Sequence, residues 1–268
     1  MKKTVFLALA ILALPALAQN KPAATIDISR LPKETRVIDD VIVPVPSEIF
    51  TVLDKLGRPN WVAVQRPIKG VAQPFGAQPQ VALYLGTVIA EGFIAVEATD
   101  AEEVKNIGRS VLNLSASLNV QKAVQTRANA IIQAADKEDW TGVRRELDGA
   151  LSEVKQALAD LRSPELAHLV ALGGWLRGTE ALCEVVIRDY KPDAADLLHQ
   201  PALLNHFDAK LDGLKDRYKR EPLVPTMQKG LAEIRPLIGD KEGVEIPKAT
   251  VEKIGKITAD MVKAIQTK

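Results

Sequence analysis

Glu91 is the one charged residue between Val81 and Val96. A carboxylate set in an apolar run needs a partner, or else it keeps its proton. A second unusual stretch is Gly174-Trp175-Leu176-Arg177-Gly178, preceded by Gly173 and followed by Glu180. Arg177 lies mid-way along another apolar segment, so it is the natural partner for Glu91. Glu180 competes for the same guanidinium at i,i+3, while Glu184 and Arg188 have i,i+4 spacing for a pair of their own. Three chemistries follow: a structural ion pair between two buried helices, a proton-handling carboxylate, or a ligand site lined by Glu91, Trp175, Arg177 and Glu180. None of these residues is assigned a catalytic role.

Other constellations carry less. Glu165-x-x-His168 matches one element of the carboxylate-bridged di-iron bundles, which need two such elements and two further glutamates. No second Glu-x-x-His is present, and Asp196-x-x-His199 beside Pro201 is a poor substitute. His206 has no partner at ligand spacing, so neither a metal nor a cofactor is expected. There is no G-x-S-x-G elbow and no glycine-rich phosphate cradle. Cys183 is the single cysteine, which excludes an internal disulfide and C-x-x-C-H haem attachment. Its apolar setting reads as a small buried hydrophobe.

These groups must be positioned by helices. Residues 80–98 are apolar around nearly the whole helical circumference, the pattern of a helix buried on all sides. The stretch is close to the ~20 residues of a membrane span. Glu91 near its centre and the lack of Lys/Arg clusters on its flanks favour the buried reading. Residues 164–189, opened by Ser163-Pro164-Glu165 with Ser as cap, form the second all-round apolar helix and the partner of the first. Each internal glycine costs ~1 kcal/mol relative to Ala. Gly174 and Gly178, four apart, therefore read as a close-packing track facing Gly86 and Ala90.

Between these two helices, Val104, Ile107, Val111, Leu114 and Leu118 alternate spacings of three and four, as do Trp140, Val143, Leu147, Ala150, Val154, Ala157 and Leu161. Asp100 with Glu103 forms a capping-box pair. A break is expected near Asn119, because one helix over 101–136 would run ~54 Å. Beyond Pro192, shorter helices are expected at 193–199, 202–218 and 226–238. A last helix from Pro247 has Val251, Ile254, Ile257, Met261 and Ile265 inside.

Residues 19–79 differ in kind, holding eight of the 16 prolines, against Pro164 alone in 80–190. They read as an arm packed on the bundle: a flexible lead-in over 19–35, a short strand or extended piece over 37–43, a helix from the Ser47 cap to Leu56, a strand at 61–65 and an irregular loop over 67–79. The first 18 residues read as a signal peptide, with Lys2 and Lys3, an apolar middle at 5–14, and Ala16-Leu17-Ala18 before the cut. The pattern is bacterial and points to a periplasmic or secreted protein with no transmembrane span after cleavage. Without Cys at the cut, the lipoprotein route is closed.

Removing Lys2 and Lys3 leaves 33 basic against 34 acidic residues, so a nucleic-acid partner is not expected. The chain is therefore expected to be all-α: an up-and-down bundle of four to five helices, additional C-terminal helices and a Pro-rich, partly extended arm. Residues 80–268 form one domain, with its core at 80–190 and the C-terminal helices at 191–268. The expected role is a non-enzymatic binding or scaffold protein with a protein or small-molecule partner. One alternative is a carrier of an apolar small molecule between helices 80–98 and 164–189. The other is an enzyme with an unfamiliar site near Glu91 and Arg177.

Overall fold

A helix that is apolar all round needs neighbours on every side, and the computed structural model supplies them. It describes residues 59–239 and 244–267, together with the backbone of Val37–Ile38 and Val41–Ile42. The signal segment, the 19–35 lead-in and the 47–56 helix lie outside the described residues. The architecture below is that of the unit Lys33–Lys268.

The central helix α1 (Gln78–Glu97) leads into α2 (Ala101–Ser117), α3 (Gln121–Asp136), α4 (Trp140–Asp160) and α5 (Pro164–Arg188). α1 packs on α5 most extensively and also meets α2 and α4. It is the one helix among the described residues long and apolar enough to cross a membrane, and it is buried within the protein. The remaining helices are α6 (Pro192–Ala195), α7 (Pro201–Asp212), α8 (Asp216–Lys219), α9 (Leu223–Ile238) and α10 (Lys248–Gln266). α10 lies along α5 and touches α1, and so covers the side of α5 that α1 leaves open. The fold is an all-α, up-and-down bundle with additional C-terminal helices.

Four joints with one geometry turn the chain back on itself. Thr99, Asn119, Glu138 and Arg162 each adopt a left-handed φ between α1 and α5, at 55°, 62°, 54° and 56°. At each, the next residue donates its N–H five positions back: Asp100 to Ala95, Val120 to Ser115, Asp139 to Ala134 and Ser163 to Leu158. This is the Schellman closure, usually built on glycine. The break expected near Asn119 is one of these joints.

The α1–α5 crossing is set by small residues. A Cβ on Gly86 would lie 2.0 Å from the Val170 carbonyl oxygen, and one on Gly173 would lie 2.0 Å from that of Leu83. A Cβ on Gly178 would meet nothing within 4 Å. The track is therefore Gly86 against Gly173 and Gly174; of the Gly174/Gly178 and Gly86/Ala90 pairs that the spacing suggests, Gly86 and Gly174 meet, and Gly178 takes no part.

Several local expectations are corrected. Residues 61–65 form no strand: Trp61–Ala63 is a 3-10 turn, capped by the Asn60 side chain on Ala63 N at 3.2 Å. Residues 37–43 hold two two-residue strands, β1 (Val37–Ile38) and β2 (Val41–Ile42), pairing antiparallel with Val37 opposite Ile42. The helix expected over 202–218 stops at Asp212, with Gly213 as its cap, and restarts as α8. Ser163 occupies the cap position of α5 without a side-chain capping bond. On α10, Thr258 takes the inward slot next to Ile257 and returns its hydroxyl to Ile254 O at 3.0 Å.

Candidate functional site: a buried ion cluster under an irregular strap

Arg177 sits mid-way along α5 and is the largest fully buried side chain among the described residues, at 1% exposure. Its Nε donates to Glu91 Oε2 at 2.7 Å and its Nη1 to Glu180 Oε2 at 3.4 Å. The third arm of the guanidinium leaves the helices: Nη2 donates to the main-chain oxygen of Val64 at 2.7 Å. The other Glu91 oxygen accepts the backbone N–H of Arg66 at 2.6 Å. Glu91, 3% exposed, thus has both oxygens engaged. Planar guanidinium geometry suits this role, since its donors fan out in fixed directions and reach three acceptors at once.

The partners outside the bundle belong to residues 64–72, which cross α1, α2 and α5 without regular structure, turning at Val64 and bending over 69–71 around Gly70 at φ 77°. We call this segment the strap. Ile68 N donates to Glu103 Oε1 at 2.7 Å, Ala72 N donates to Ser110 Oγ at 2.9 Å, and Asn113 Nδ2 returns a bond to Ala72 O at 2.7 Å. Within it, Gln65 Nε2 donates to Asp100 Oδ2 at 2.8 Å, and just ahead of it Arg188 reaches Ala63 O at 3.1 Å. The Arg66 side chain, 49% exposed, pairs with Glu180 at 2.7 Å and also with Glu184. Val64 and Ala72 are buried and Ile68 is half-buried, so the strap turns a side chain inward every fourth residue.

Charge is unevenly balanced here. Burial pushes the Glu103 carboxyl above the usual range, against the pull of the Ile68 N–H and Asn106, with Glu91 and Asp100 nearby pushing it further up. Burial likewise raises Glu180, although Arg177 and Arg66 draw it down. Desolvation favours the neutral form, and a nearby cation only partly restores the charged one.

Three of the four residues read from the sequence as ligand-binding, Glu91, Arg177 and Glu180, are brought together. Trp175 is not among them. Two positions before Arg177, it is turned about 200° around the helix, where its Nε1 donates to Gln200 Oε1 at 2.9 Å and its ring lies 5.5 Å from Phe207. The sequence pairing of Glu184 with Arg188 is loose, at 3.9 Å, because Glu184 is drawn to Arg66. Glu103 does not close a capping box. Asp100 accepts from Glu103 N at 3.0 Å as expected, but the Glu103 carboxylate is turned to the strap. Arg66, Glu103, Ser110 and Asn113 were invisible as site residues, because the strap that unites them has no periodicity. The one available signal was an acid, Glu103, on the apolar side of α2.

The remaining motifs resolve into structure. Glu165 pairs with Lys215 at 2.9 Å, and His168 meets His206 ring edge to face at 5.8 Å. Among the described residues no group of three His, Cys, Asp or Glu is placed to hold a metal ion. Ser152 and Lys155 carry an S-x-x-K spacing, both half-buried on α4. Cys183 is buried, and its thiol is pushed far up by burial, with Glu180 and Glu184 adding to the shift. Comparison with models of known families, with curated proteins and with solved structures finds no match.

Proposed function

We propose that this chain is an exported, non-enzymatic binding or scaffold protein that works through contacts with other polypeptides. The observation that carries the reading is the use made of the buried Glu91–Arg177–Glu180 cluster and its neighbour Glu103. Glu91, Arg177 and Glu103 each spend one hydrogen bond on a main-chain group of the strap. A general base needs a proton to take and a path to reach it, and Glu91 has both oxygens occupied and 3% of its surface open, which argues against the enzyme alternative. The carrier alternative has less behind it, since α1 and α5 meet backbone to backbone at Gly86 and Gly173. The cleft lined by His168, Leu172, Phe207 and Leu211 has no room for even a water molecule; drug-sized ligands take ~300 Å³ or more.

Export rests on the basic start, apolar middle and Ala16-Leu17-Ala18 pattern, and periplasmic or secreted placement follows from it. Cell fractionation followed by native mass spectrometry of the protein from its own compartment tests both parts. The expected spectrum shows the chain beginning at Gln19, carrying protein-sized adducts after mild crosslinking. A bound small molecule, or an intact leader in the cytoplasmic fraction, overturns the reading.

A further inference from the structure

The strap is gripped by its main chain. Arg177 and Asn113 hold its carbonyls, while Glu91, Glu103 and Ser110 hold its N–H groups. Amides and carbonyls are common to every polypeptide, so such a groove accepts many sequences along one backbone path, provided a glycine stands at the bend that Gly70 makes at φ 77°. Side chains are read at few points. Val64 and Ala72 are buried, Ile68 is half-buried, and Arg66 faces the acidic pair Glu180 and Glu184.

Two features make the occupant separable from the groove. Arg66, Pro67, Lys69 and Gly70 along the strap's outer side are exposed, so the protection of its amides hangs on single side chains. The floor beneath is polar, carrying Glu91, Glu103, Ser110 and Arg177, and water can satisfy it when the strap lifts. Segments held this way open at lower free energy than the whole fold.

Building on the binding-protein reading, we propose that the groove over α1, α2 and α5 is a binding site for a polypeptide segment that follows the strap's backbone path. The chain's own strap is its resident occupant. The segment it accepts follows the strap's pattern: an aliphatic residue, then at successive steps of two a basic residue, an aliphatic residue, a glycine at the left-handed bend and a small residue. A partner segment of this kind takes the groove when the strap lifts.

The probe is a fluorescein-labelled peptide copying residues 60–75, titrated by anisotropy against the full chain and against a Trp61→Ser, Ala72→Glu variant, which weakens the strap and leaves every groove residue intact. Because a tethered occupant acts at an effective concentration near the millimolar range, binding to the variant is expected to be at least tenfold tighter than to the wild type. N-methylation of the peptide at Ile68 and Ala72 is expected to abolish it. Hydrogen exchange on the wild-type chain gives a second readout: the amides of Arg66, Ile68 and Ala72 are expected to exchange through local opening, faster than the core of α5. The proposal is overturned if those amides exchange only with global unfolding, if the variant fails to fold, or if a lifted strap leaves no saturable peptide binding. A protein partner crosslinked elsewhere on the surface would sink the groove and leave the binding-protein reading standing.

Discussion

Arg177 Nε lies 2.7 Å from Glu91 Oε2 with both side chains sealed from solvent, 86 positions apart in sequence. A buried pair of this kind adds little net stability over an apolar substitute, but removing one partner strands the other. Arg177→Met is therefore expected to cost about 3–5 kcal/mol. The double variant Glu91→Leu, Arg177→Met should recover a large part of that loss. Urea denaturation of the four proteins of the cycle measures the coupling; additive losses would show the pair to be energetically independent.

The glycines of α5 should separate sharply. Gly173→Ala places a methyl 2.0 Å from the Leu83 carbonyl oxygen, a backbone atom that cannot step aside without parting α1 from α5. A loss above ~3 kcal/mol, or failure to fold, is expected, since overpacking a tight core costs typically 1–3 kcal/mol even where neighbours can shift. Gly178→Ala meets nothing within 4 Å and should stabilise by about 1 kcal/mol through helix propensity. Thermal melts of the two variants give the contrast directly.

Thr99 is the least suited of the four joint residues to its left-handed φ of 55°, because a β-branched side chain crowds the backbone there. Thr99→Gly removes that strain and adds unfolded-chain entropy, so a net gain of about 0.5–1 kcal/mol is expected. Thr99→Val should show none. Chemical denaturation checks both, and a destabilising Thr99→Gly would mean that the Thr99 hydroxyl, bonded to Ala98 O at 2.7 Å, matters more than the strain.

The pH dependence has two limbs. Glu103 and Glu180 are raised by burial from the ordinary 4.5, so the folded chain holds protons there that the unfolded chain has released. Their contribution is full below 4.5 and is lost as pH rises through the raised values. Glu146 is lowered by its hydrogen bond to Arg127. Glu165 is pushed up by burial but brought lower overall by Lys215 and its own backbone N–H. Those two contribute above 4.5 and fade as pH falls through their lowered values. Stability should peak at mildly acid pH, and Glu103→Gln should flatten the decline toward neutrality. An unchanged slope in that variant would remove Glu103 from the account.

Cys183 should be inert in the folded chain. Reaction requires the thiolate, and burial holds the proton on. Labelling with a thiol-specific disulfide reagent should be negligible in buffer and complete in denaturant; rapid labelling of the native protein would show that α5 and α10 part locally.

The sequence by itself determined the helices and the pair that anchors them. Apolar residues all round 80–98 and 164–189 leave no face for water, so these segments must pack on each other. Glu91, inside the apolar run of the first, and Arg177, mid-way along the second, are then natural partners, because either alone would be a buried charge. A joint at Thr99-Asp100 and a break near Asn119 were legible in the sequence, the second from a seam too long and out of phase for one helix, but the left-handed closure of both belongs to the tertiary structure. Which glycines touch was decided only by the tertiary structure, since a crossing point depends on the rotation and slide of both helices. The same holds for Trp175, which local spacing placed beside Arg177 and the helical turn carried to the opposite side. The strap lay furthest from view. An irregular segment bonded through its main chain has no periodicity and no side-chain signature, so the use of Glu91, Glu103 and Arg177 to hold it emerges only when distant residues are folded against one another.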